Sequence, residues 1–174
     1  MGCDIHSFVA VLGDDGTLSP SETYVNLSEQ RRIIKPFDDR CYLFFGWLTD
    51  GGVRSAGLFQ YNYPYTGKCR YKINPLVSDK IDAYDKKLIK RYNETQSYVY
   101  HSFGYITYAD LLKQKKIIKK LIKKIINNIE QNIELYEAET VLAFIKSAII
   151  RTQIAVDTKA INHNNIYILF CFDS

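Results

Sequence analysis

Apolar residues come in short runs at the two ends of this chain and at helical spacing between them. Residues 4–12 read as a strand, and Gly13-Asp14-Asp15-Gly16 is a strong signal for the turn that ends it. A second strand over Tyr24–Leu27 would complete a hairpin. Tyr42–Leu48 is a dense apolar patch, which predicts a short buried helix entered from Asp38 or Asp39. Ser78 has the chemistry of an N-cap for a helix whose apolar stripe is Ile81, Tyr84, Leu88, Ile89 and Tyr92. A short strand over 98–101 leads to Thr107, which caps the longest element, with Asp110 completing a weak capping box. That helix spans about 108–133. Its leucine and isoleucine pairs recur in steps of four, which drift by about 40° per repeat, so it crosses the core obliquely with its lysines outward. Residues 139–154 predict a further amphipathic helix. The last run, 166–172, is too apolar for an exposed edge and predicts a central strand.

This order gives an α+β fold: a small mixed or antiparallel sheet, built from the N-terminal hairpin and the C-terminal strand, packed against several helices. The 174 residues suit one domain over 1–174. If the last strand runs antiparallel to the first, Asp173 comes near Asp4 and His6.

Composition narrows the setting. An apolar fraction of 47% excludes a disordered polymer. No apolar run reaches the ~18 residues of a membrane span, and the opening residues lack a secretory pattern, so a soluble protein of the cytoplasm is expected. Cys3, Cys41, Cys69 and Cys171 show no CxxC spacing, which argues against a zinc ribbon and for reduced thiols. The net charge of +4 is unevenly spread, with seven lysines between Lys113 and Lys124 and four glutamates between Glu130 and Glu139. Such a basic stretch can attract phosphate, but it is more often the solvated face of a helix.

Candidate chemistry clusters at the start. Asp4 and His6 lie two apart on a strand, so they share a face at a separation of about 6.5–7 Å, within reach of one ligand, metal or water. On the spacing alone, a cap for Asp4 and a hydrogen-bonded strand position for His6 are the favoured account. A second cluster is aromatic. Tyr61, Tyr63 and Tyr65 alternate, and Arg54, Lys68, Arg70 and Lys72 lie among them. Rings and cations of this kind can stack a base and hold a phosphate. They can also wrap the core of a small domain.

The opening Met1-Gly2-Cys3-Asp4-Ile5-His6 resembles the start of a large family of small bacteriophage proteins. Arg40-Cys41-Tyr42-Leu43-Phe44-Phe45 is similar to that family's Arg-Asn-Tyr-x-Leu-Phe, with Cys41 replacing Asn. His101-Ser102-Phe103-Gly104-Tyr105-Ile106-Thr107 is similar to its His-Ser-x-Ser-Tyr-Leu-Thr, with Gly104 replacing the second serine. Phe170-Cys171-Phe172-Asp173-Ser174 is similar to its aromatic-x-Phe-Asp-Asn ending. A Gly-Leu-Pro-x-Asp-x-Ser stretch of the family is reduced here to Pro75-Leu76-Val77-Ser78. The resemblance carries Asp4, His6, Arg40, Tyr42, His101, Ser102 and Asp173 over as family-like positions. Their types suit an anionic, hydrogen-bonding ligand.

What the resemblance implies is an immune-evasion protein that sequesters a cyclic oligonucleotide made by a CBASS-type host defence, without cleaving it. With the aromatic segment included, the expected ligand-binding set is Asp4, His6, Arg40, Tyr42, Arg54, Tyr61, Tyr63, Tyr65, His101, Ser102 and Asp173, with no cofactor. The expected partner is a nucleotide second messenger, with neither membrane nor long nucleic acid, and the ring-rich region leaves homo-oligomerisation open. Two other readings compete. One is a phosphodiesterase using Asp4, His6, His101 and Asp173 as metal ligands. The other is a direct inhibitor of a host protein acting through the basic helix.

Overall fold

The computed structural model describes residues 4–27, 30–48, 71–94, 100–127 and 132–173; side chains at 46, 47, 100–102 and 132 fall outside that description. The central element is the last strand, β6 (Ile166–Asp173), buried along almost its whole length. It lies between β1 (Ile5–Leu12) and β5 (Tyr100–Thr107), and β2 (Leu18–Pro20) completes a four-stranded antiparallel sheet in the order β2-β1-β6-β5. The α+β architecture and the central place of the C-terminal strand match the sequence reading. Ile5 pairs with Phe172 and Val11 with Ile166, so β1 and β6 run antiparallel over seven residue pairs.

Strand alternation divides the core between the two faces of this sheet. One face carries Ile5, Val9, Ile106, Ile166, Ile168, Phe170 and Phe172, and packs against α1 (Tyr42–Leu48), α3 (Tyr108–Ile126) and α4 (Asn132–Ala155). The other carries Phe8, Ala10, Leu169 and Cys171, and packs against α2 (Ala83–Glu94) through Leu88, Ile89 and Tyr92. Burying each such side chain stabilises the fold by about 1.5–3 kcal/mol. Thr107 caps α3 by accepting from the Asp110 amide, as its position in the sequence predicts.

Several local expectations need correction. α3 ends at Ile126, where the weak helix former Asn127 caps it, instead of running to about 133, and β5 continues to Thr107 instead of ending at 101. The partner of β1 is β2, not the Tyr24–Leu27 segment, because the turn at Gly16 (φ +75°) returns the chain at once and places Leu18 in the core. Tyr24–Leu27 instead forms β3 and pairs with β4 (Gln30–Ile33) in a separate two-stranded ribbon. α2 starts at Ala83 rather than after Ser78, with the Asp82 carboxylate accepting from the Tyr84 amide at 2.7 Å. α4 begins at Asn132, before the 139–154 window. Its apolar residues ring the helix instead of forming one stripe, so periodicity alone does not mark its first turns. Among the described residues, no helix is long and apolar enough to cross a membrane.

Gly104 sits against β6 where a side chain would not fit. A Cβ there would lie 2.7 Å from Cζ of Phe170, whose own ring packs against those of Phe37 and Phe172. Gly104→Ala is expected to lower stability by about 1–3 kcal/mol through overpacking. Urea unfolding measures this, and an unchanged midpoint and slope would show that the Phe170 ring can yield.

Candidate functional site

The β1–β6 pairing brings the two ends of the chain together, and the polar residues there hydrogen-bond one another. Asp173 donates its backbone N–H to the Asp4 carbonyl at 3.1 Å, and its Oδ1 accepts from the Asp4 amide at 2.9 Å. Its other oxygen, Oδ2, lies 2.9 Å from His6 Nε2. An ionised carboxylate can only accept, so in the neutral imidazole Nε2 carries the proton and Nδ1 is left as an acceptor. Nδ1 lies 2.7 Å from the Tyr84 hydroxyl on α2, which then donates to it. The result is a chain Asp173–His6–Tyr84 that links β6, β1 and α2.

Cations sit around this chain. The Arg32 guanidinium lies 4.9 Å from the centre of the Tyr84 ring and the Lys35 ammonium 5.7 Å from it. Arg32 is itself held by the fully buried Asp85, whose Oδ2 accepts from Arg32 Nε and from the Ile33 amide, both at 3.0 Å. Arg40 donates to Asp4. That bond is the main reason the Asp4 carboxyl titrates below its ordinary range, and the same pairing raises Arg40.

The segment carrying Lys35 and Arg40 is fixed from two sides. Ser7, buried on β1, both donates to the Phe37 carbonyl and accepts from its amide, each at 2.9 Å. Arg151 of α4 reaches the Lys35 carbonyl at 3.3 Å and Asp38 Oδ2 at 2.6 Å. Between this segment and β1 lies a cleft of about 340 Å³ lined by Asp4, Ile5, His6, Lys35, Asp38, Asp39 and Arg40. Asp4 and Asp38 are each neutralised by an arginine, whereas Lys35 pairs with no carboxylate among the described residues. The cleft is thus polar; outside these two pairs its lining carries one carboxylate, Asp39, and one ammonium, Lys35, which form no ion pair with each other.

Of the residues the sequence singles out, Asp4, His6, Arg40 and Asp173 are brought together. Tyr42 opens α1, partly exposed, with its ring edge-on to Phe45 at 5.7 Å. His101 and Ser102 lie on β5, where His101 pairs with Phe172. His6 pairs with Cys171 on the other side of β6, one position along. The His101 and Ser102 side chains, and all of Arg54, Tyr61, Tyr63 and Tyr65, lie outside the described residues. Among the described residues, no group of three or more histidines, cysteines or carboxylates is arranged to hold a metal. Cys41 and Cys171 are buried free thiols, and burial pushes both thiols up, so neither is a ready nucleophile.

Sequence reasoning missed Ser7, Lys35 and Tyr84. Ser7 carried a usable signal, as a hydroxyl within an otherwise apolar strand. Tyr84 was absorbed into the apolar stripe of its helix, and Lys35 has no signal apart from its neighbour Pro36.

If the chain of polar groups acts as a unit, His6→Ala and Asp173→Ala will not add. Urea unfolding of the two single variants and the double variant should give a coupling of about 0.5–3 kcal/mol, and strict additivity would contradict a shared bond. Asp4 tests the Arg40 pair by pH. A carboxyl whose folded pKa is lowered contributes stability above its unfolded value and loses it as pH falls through the folded one. Both side chains are about half exposed, so that contribution is small. NMR titration should show the Asp4 carboxyl moving upward in Arg40→Ala, and an unmoved titration would contradict the pairing.

Comparison with protein-family models, with curated proteins and with solved structures finds no match to this chain.

Proposed function

We propose that the cleft at the joined chain ends binds a small phosphorylated ligand of the nucleotide class and holds it without converting it. The observation that carries this reading is the pairing state of its polar groups. Lys35 stands in the cleft with no carboxylate partner among the described residues, while the groups that would perform acid–base chemistry are engaged with one another. Both His6 nitrogens and both Asp173 oxygens have protein partners. A binding site needs donors and a cation for phosphate; it needs no base held ready for a proton.

The size of the cleft supports the same reading. At about 340 Å³ it falls at the lower end of the ~300–1,000 Å³ typical of small-molecule sites, enough for one phosphorylated portion of a larger ligand. Arg40 offers a fork of donors to phosphate if it exchanges Asp4 for the ligand, and Lys35, whose ammonium lies 5.7 Å from the centre of the Tyr84 ring, lines the same cleft. The phage resemblance gives the biological form of the proposal: capture of a cyclic oligonucleotide immune signal in the host cytoplasm.

Thermal shift against a panel of cyclic di- and trinucleotides tests it. A ligand at 100 times its dissociation constant adds about 2.7 kcal/mol. For a chain of this size that raises Tm by roughly 5–10 °C. Lys35→Ala should weaken the responding nucleotide about tenfold or more, since a hydrogen bond to a charged group is worth ~1.5–3 kcal/mol. Heat-denatured complex should release the nucleotide unchanged by mass spectrometry. No response to any member of the panel would overturn the proposal, and a cleaved product would replace it with an enzyme.

A further inference from the structure

Helix α4 is apolar on the side that faces away from its own core. Ala138, Val141, Ile145, Ala148 and Ile149 fill the interior, yet Ile133, Tyr136, Ile150 and Ile154 are each more than half exposed. Between them run Ala143 and Ser147, small residues on the floor of a shallow furrow of about 800 Å³. Glu139 and Lys146 also line it, about one turn to either side of Ala143. At 3.6 residues per turn, Tyr136, Glu139, Ala143, Lys146, Ser147, Ile150 and Ile154 share one broad face of the helix. Isolated exposed leucines or isoleucines are ordinary; a continuous face of this kind marks a contact surface.

The order of residues along that face is self-complementary. We infer that it docks against the same face of a second copy, with the two α4 helices antiparallel and a two-fold axis passing beside Ala143. In that arrangement Tyr136 meets Ile150 of the second copy, Ile133 meets Ile154, and Glu139 meets Lys146. Each pair straddles Ala143 evenly in the sequence, within half a residue, and symmetry repeats each contact. Ala143 meets its own counterpart, where a small side chain allows close approach of the helices. Charge and apolar complementarity therefore satisfy one operator at once, as an isologous interface requires. A parallel pairing would set Glu139 against Glu139 and Lys146 against Lys146. The interface leaves the cleft at the chain ends outside the pairing, although Arg151, which fixes the Lys35 segment, also borders the furrow.

Sedimentation of the full chain over a concentration series should show a dimer. Glu139→Lys and Lys146→Glu should each weaken it at least tenfold, and the two together should restore it, whereas loss of a non-specific sticky face would not be rescued. Ala143→Cys gives a geometric readout, because a disulfide between two copies of that position needs Cα atoms about 4.4–6.8 Å apart. Oxidation of that variant should yield a 143–143 linked dimer identified by mass spectrometry. All these positions are exposed or at the furrow, so circular dichroism should report an unchanged fold. A chain that sediments as a monomer at every concentration would overturn the inference. So would a dimer that neither responds to the charge swaps nor links at 143; the first result would leave the face to a different protein.

Discussion

Everything at the candidate site depends on the antiparallel pairing of β1 with β6. Seven consecutive residue pairs, from Ile5 with Phe172 to Val11 with Ile166, hold the first and last strands in one register. That register is specified strongly, because a slip of one residue would move Phe170 and Phe172 from the α1/α3/α4 side to the α2 side. Once it is set, Asp173 lies beside Asp4, and alternation turns His6 toward α2. The polar contacts at the chain ends are a consequence of apolar packing further along the strands, and they then close those ends.

From that closure follows the division of labour within the site. His6 is held between an acceptor and a donor, so its tautomer and ring orientation are fixed by protein groups. Arg32 and Lys35 gather at the Tyr84 ring because Asp85 anchors one and the Ser7–Phe37 bonds place the segment bearing the other. Asp85 is fully buried, and its second oxygen has no partner among the described residues. An uncompensated buried oxygen is costly, so the bonds from Arg32 and Ile33 to the first oxygen must be well formed to keep it there. The site is a set of mutually restrained groups beside a small polar cleft.

Much of this was legible in the sequence, for definite reasons. Residues 166–172 of the last strand are all apolar, which a central strand explains, and Asp173 at its end marks where the chain ends meet. Thr107 with Asp110 marks a helix start through local hydrogen bonding alone. What escaped depends on distant segments. Lys35 acquires its role only when Ser7 and Arg151 fix its loop. Tyr84 has an apolar ring that fits a helical stripe, and only the tertiary position of its hydroxyl makes it a partner of His6. The β1 partner was misplaced because β2 has only three residues and ends in Pro20, too short and too interrupted to give a strand pattern. The first turns of α4 were missed because that helix carries apolar residues on two sides.

The joining of the chain ends is tested most directly by nitrogen-detected NMR of the His6 imidazole at neutral pH. The expected spectrum has a protonated Nε2 and an unprotonated Nδ1 in a single tautomer, with the Nε2 resonance shifting in Asp173→Asn and the Nδ1 resonance shifting in Tyr84→Phe. Averaged resonances of a ring exchanging freely between tautomers, unmoved by either substitution, would contradict the Asp173–His6–Tyr84 chain and with it the closure of the chain ends by their polar side chains.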